Sequence, residues 1–140
     1  MKQQEVCDLL TKKLELLTKI TANTATHLRF VRRHEMVGLK RVLRERGLLL
    51  RELAAIDQQN GAWHYDNWKD CRPVSELVSA VAARLREVVD GDAVVRQAAM
   101  EEKNLIAARL HSIKMSKNLQ TRYVATWHPA SRTSRFNRQG

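Results

Sequence analysis

VCDLLTKKLELLTKITANTATHLRFV, residues 6–31, decides the fold. Val6, Leu10, Leu14, Leu17, Thr21, Thr24, Leu28 and Val31 recur at intervals of three and four, which places them on one stripe of a helix. Leu9, Leu16 and Ile20 widen that stripe, and neither glycine nor proline interrupts it. The period resumes through Leu39, Val42, Leu43, Leu49, Leu50, Leu53 and Ile56. One helix spanning both stretches would leave its apolar stripe in water, so the pattern predicts an antiparallel hairpin whose arms cover each other. The turn is expected near residues 32–35, where no proline or glycine marks it.

QQNGAWHYDNWKDCRP, residues 58–73, then breaks the pattern. Asn60-Gly61 tolerates positive φ and Pro73 suits a helix start, so an inter-helix loop is expected. Trp63, Tyr65 and Trp68 either fold back as a lid over the end of the helix pair or form an exposed aromatic patch. Val74, Leu77, Val78, Val81, Leu85, Val88 and Val89 restore the helical period, and Asp90-Gly91-Asp92 either stops that helix or marks a weak point in it. Val94, Val95, Ala98, Ala99, Leu105, Ile106, Leu110 and Ile113 form a further stripe, which thins through Met115, Leu119, Tyr123, Val124 and Trp127. The expected architecture is all-α, an antiparallel bundle of three or four helices (about 3–31, 35–57, 74–89 and 92–124) with a long amino-terminal hairpin. Residues 1–127 would form the helical domain and 128–140 a flexible basic tail, loose beyond His128-Pro129.

Composition agrees with this outline. A chain of 140 residues, 44% hydrophobic, can bury the core of one domain. The 5 glycines and 2 prolines are too few for a turn-rich sheet protein. No secretory signal and no unbroken apolar span of about 18 residues are present, so a cytoplasmic location without stable membrane insertion is expected. Cys7 and Cys71 stand apart, outside any CxxC pattern, and Cys7 falls in the helical period as a small apolar residue.

Charge points to partners. The formal net charge is +10, unevenly spread: residues 1–60 carry +5, 61–91 carry −1, 92–121 carry +2 and 122–140 carry +4. The basic zone Arg29 to Arg51 suits phosphates in principle, and nucleic acid is the alternative partner. Its bases are nevertheless mixed with acids around the helix, as on an ordinary solvated face, and no RNA-binding signature surrounds the aromatic residues.

Catalysis finds little support. The five histidines show no HxxxH or HExxH spacing, no glycine-rich phosphate loop or nucleophile elbow occurs, and Glu101 and Glu102 are adjacent and so point in different directions. A non-enzymatic protein without a cofactor or metal is expected.

The segments LLTKKLELLTKI (9–20) and RERGLLLRELAAI (44–56), the long carboxyl helix and the ending RFNRQG (135–140) together resemble the FlgN-like family of flagellar export chaperones. The likeness spans most of the chain, and the closing residues Phe136 to Gly140 carry much of its specificity. The net charge and the WHYDNW loop stand outside it. The resemblance implies a small cytoplasmic helical protein that escorts hook-associated (hook-filament junction) subunits, prevents their premature assembly and delivers them to the export apparatus. It further implies that the carboxyl helix and the segment after it engage the terminal helix of the cargo. By position that makes Ile113, Leu119, Tyr123, Val124 and Trp127 apolar contacts, Lys114, Lys117 and Arg122 electrostatic ones, and Arg135, Phe136 and Arg138 an outer part of the same binding end. Physics independent of the resemblance points the same way, since an amphipathic helix can dock where a bundle's own last helix lacks hydrophobic cover.

Overall fold

The computed structural model describes residues 2–59 and 64–127, the side chains of 125–127 excepted. Among these residues the chain is all-helical: α1 (Gln3–Arg33), α2 (Met36–Gln59), a single 3-10 turn (Tyr65–Asn67) and α3 (Arg72–Trp127). Asn60-Gly61, Trp63 and the expected tail 128–140 lie outside the described residues.

In α1, Val6, Leu10, Leu16, Leu17 and Ile20 are buried, and the threonines are accommodated by bonding back to their own helix. Thr18, Thr21 and Thr24 each donate the hydroxyl to the carbonyl four residues earlier at 2.9 Å, so residues of modest helix propensity satisfy their polar groups locally. The helix ends at His34, whose φ of 58° is left-handed. There the His34 N–H donates to the Val31 carbonyl at 3.3 Å and the Glu35 N–H to the Phe30 carbonyl at 3.1 Å, a Schellman closure. Histidine is among the few non-glycine residues enriched in that conformation, which explains a helix break with no glycine at the turn itself. The break falls within the expected interval.

Against α1, the buried residues of α2 are Val42, Leu49 and Ile56, seven apart and therefore on one narrow line. Leu43 and Leu50, expected on the inner stripe, are exposed. Early α1 meets late α2 through Lys13 and Asp57, 2.8 Å apart, and late α1 meets early α2 through Asn23, whose Nδ2 donates to the Val42 carbonyl at 3.0 Å. Near the turn, a Cβ at Gly38 would lie 2.8 Å from the Phe30 ring. Only glycine lets that ring rest on the α2 backbone.

Between α2 and α3 the expected aromatic lid is realised by one of its members among those described. Trp68 is half-buried against the core, whereas Tyr65 is exposed. Pro73 occupies the second position of α3, where an N–H would have no helical acceptor.

Of the two readings of Asp90-Gly91-Asp92, the stop is not realised, and the separate helices expected at 74–89 and 92–124 are corrected: α3 is one uninterrupted helix of 56 residues. An interior glycine costs a helix about 1 kcal/mol relative to alanine, too little to stop one held by packing. Gly91 has a packing reason, because a Cβ there would approach the Thr24 methyl to 3.0 Å. Asp92 does not cap a new helix either; its carboxylate accepts from the Arg46 guanidinium at 2.5 Å.

Two units divide the chain, Met1–Met100 and Glu101–Gly140, with α3 contributing to both. In the first, Val6, Leu10, Leu16, Leu17 and Ile20 of α1, Leu49 and Ile56 of α2, and Val74 and Val81 of α3 form one apolar cluster, with Cys7 and Cys71 half-buried beside it. Full burial of each large aliphatic side chain contributes about 1.5–3 kcal/mol. The described part of the second unit, residues 101–127, is a single helical segment.

Candidate functional site

That helical segment carries the candidate site. Leu105, Ile106, Leu110, Ile113, Met115, Leu119, Tyr123 and Val124 are all exposed, from 43% at Ile106 to 63% at Tyr123. Single exposed aliphatics are ordinary on a surface, and so many on one helical segment make it the candidate for a binding surface. Its charge is one-sided: from Lys103 to Val124 the segment holds Lys103, Arg109, Lys114, Lys117 and Arg122 and no acid.

Every described residue of the expected contact set is exposed: Ile113, Lys114, Lys117, Leu119, Arg122, Tyr123 and Val124. They do not share one face. At about 100° per residue, Ile113, Lys117 and Val124 cluster on one side and Leu119 adjoins Tyr123, whereas Lys114 and Arg122 fall on the far side of the helix. A shallow apolar depression is lined by Leu119, Gln120, Arg122, Tyr123 and Val124. Trp127 ends α3, but its side chain, like Arg135, Phe136 and Arg138, lies outside the described residues.

Periodicity predicts a core stripe at Leu105, Ile106 and Leu110, and their exposure corrects that expectation. The sequence does carry a signal for it. In α3, Val74, Val81 and Val95 are buried and Val88 is half-buried, seven apart along one line, with buried Ala98 three positions on, and the next two steps of that line are Glu102 and Arg109. An apolar seam that meets an acid and then a base has stopped facing a dry core.

Polar features of the first unit are of a different kind. Arg46 donates to the Thr24 hydroxyl at 2.8 Å and pairs with Asp92, so this member of the basic Arg29–Arg51 zone is engaged within the protein. Beside it, the His27 pKa is lowered, first by burial and then by the Arg46 charge, with Asp92 opposing. Asn23 is buried; both its amide hydrogens face acceptors, the Val42 carbonyl at 3.0 Å and the Glu45 carboxylate at 3.4 Å, and its Oδ1 has no protein partner. It lines a notch of about 170 Å³ with Thr26, Phe30, Arg41 and Glu45. Elsewhere in the basic zone, Arg29 stacks over the Phe30 ring at 5.4 Å. Among the described residues no three His, Cys, Asp or Glu side chains are placed to hold a metal ion, and no helix is long and apolar enough to cross a membrane.

Comparison with protein-family models, with curated proteins and with solved structures gave no match in any of the three. The resemblance to export chaperones therefore rests on the chain's own residues.

Proposed function

We propose that the protein binds a helical partner without turnover and serves as a flagellar export chaperone in the cytoplasm. It would hold hook-associated subunits, prevent their premature assembly and bring them to export-apparatus components. The single observation supporting this reading is the run of exposed apolar residues from Leu105 to Val124 on an acid-free helical segment. In the same reading, α1 and α2 form an antiparallel hairpin and the part of α3 within the first unit completes a three-helix bundle. The pairings of Lys13 with Asp57 and of Thr24 with Arg46 support the hairpin, and that of Arg46 with Asp92 supports the place of α3 beside it.

Nucleic acid is the competing partner. It satisfies the bases but leaves the aliphatic side chains in water, and Arg46 is already committed to Thr24 and Asp92. Copurification with nuclease treatment and high-salt washing separates the two. Retention of a hook-associated protein is the expected result; loss of every protein partner together with the nucleic acid overturns the proposal. A chain shortened after Trp127 is expected to keep its helicity and to handle the partner less well.

A further inference from the structure

The seven-residue line of α3 does more than mark where the core ends. Val74, Val81 and Val95 are buried and Val88 is half-buried, and the companion line three positions on runs through Leu77, Arg84, Gly91 and Ala98, with Arg84 paired to Glu87 at 2.9 Å. Continued into the second unit, the two lines carry Glu102, Arg109, Ser116 and Tyr123, and Leu105, Ser112 and Leu119. Such a repeat keeps one seam turned toward a neighbouring helix over its whole length. Between Leu105 and Tyr123 this seam is apolar or small except at Arg109, which stands where valines stand in the first unit. Ile106 and Ile113 flank it, both exposed, with Leu110 and Val124 further round the helix, and among the described residues Arg109 makes no ion pair.

We propose that this seam docks an acidic amphipathic helix of a partner protein, with one carboxylate set in the partner's apolar face opposite Arg109. The proposal rests on the partner-binding reading above and specifies the chemistry of what is bound. Charge selects the occupant. A second copy of this chain would set its cations against five others between Lys103 and Arg122, with only Glu101 and Glu102 nearby to offset them. An anionic bilayer suits basic amphipathic helices, but such helices sink an uncharged face, and here Arg109 and Lys117 lie among the apolar residues. Nucleic acid offers nothing to cover Leu105, Leu110 or Leu119. An acidic helix covers the aliphatic residues and answers the cations together. The methylene stem of Arg109 lies along the seam while its planar head takes a carboxylate with two hydrogen bonds. One polar pair within an apolar seam also fixes register, because sliding by a turn would bury both charges unpaired.

The test uses the full chain and synthetic helical peptides about four heptads long, with Leu and Ile in the seam. One peptide has glutamates on its flanks and one glutamate at a central seam position; a second replaces that central glutamate by glutamine; a third replaces it by lysine; a fourth has lysine flanks. Fluorescence anisotropy is expected to show binding of the first, about tenfold or greater loss with the second and third, and no measurable binding of the fourth. Arg109→Glu should reverse the preference at the central position toward lysine. Arg109 is on the exposed segment, so circular dichroism should be unchanged. Equal binding of acidic and basic peptides, indifference to Arg109→Glu, tighter binding to phosphatidylglycerol vesicles or duplex DNA than to the first peptide, or self-association through the seam would each overturn the proposal. Capture of a hook-associated protein that survives Arg109→Glu unchanged overturns this inference and leaves the chaperone reading standing. Acidic-peptide binding without any such capture does the reverse.

Discussion

α3 contains two regions of like composition and unlike fate. Val74, Val81, Val95 and Ala98 are buried, whereas Leu105, Ile106, Leu110, Ile113 and Leu119 are exposed although they are larger and more apolar. Hydrophobicity therefore does not by itself determine which residues become core; a facing surface must exist. In the first unit α1 and α2 supply that surface, through Leu10, Leu17 and Ile56 among others. In the described part of the second unit there is one helix, and the same kind of side chain is left available. Apolar residues that stabilise the fold in one region are left exposed in the other, and the proposed function rests on them.

The contrast can be broken most directly with matched truncations. Leu17→Ala removes a side chain that is 1% exposed and is expected to cost about 2–5 kcal/mol in urea denaturation. Leu110→Ala, at 62% exposure, should stay within about 0.5 kcal/mol of the parent while weakening partner capture. A large loss of stability at Leu110 would mean that the second segment is structural after all.

Glycines offer a smaller effect with opposite signs inside one helix. Gly38→Ala must push the Phe30 ring away and is expected to destabilise by about 1–3 kcal/mol. Gly47→Ala meets nothing within 4 Å and should stabilise α2 by up to about 1 kcal/mol through helix propensity. Thermal unfolding of the two variants checks the pair, and equal shifts would refute the close approach of Phe30 to α2.

The smallest expected effect is a pH dependence confined to the first unit. Native His27 is harder to protonate than the same residue in the unfolded chain, whose value lies near 6.5. Below that pH the unfolded state binds more protons, so stability is fully present above 6.5 and declines as pH falls through and below it. His27→Gln should flatten this decline in urea midpoints measured between about pH 5 and 7.5, a window that brackets the ordinary histidine range, whereas an unchanged slope would assign it to other groups.

Much of this was legible from spacing. The three-and-four pattern of Val6 to Val31 predicted α1, the turn interval contained His34, and the aromatic loop did send Trp68 onto the core. Two features could not be decided from local pattern, for the same physical reason. Asp90-Gly91-Asp92 looks like a stop because local propensity favours one, yet Thr24 and Arg46 on other helices make a continuous helix with a glycine and an aspartate the better solution. Leu105, Ile106 and Leu110 look like core because periodicity reports that a residue shares a face, not that the face has a neighbour.

The helical class, the break after α1, the acid-free charge of the last helical segment and the heptad line on which Arg109 falls are all written in short windows of sequence. There, side-chain spacing and local hydrogen bonding are enough to decide. Tertiary contact alone settled that α3 runs unbroken, that Gly38 and Gly91 admit close neighbours, and that the apolar residues from Leu105 to Val124 remain uncovered. These depend on which surfaces meet, and distant parts of the chain settle that together.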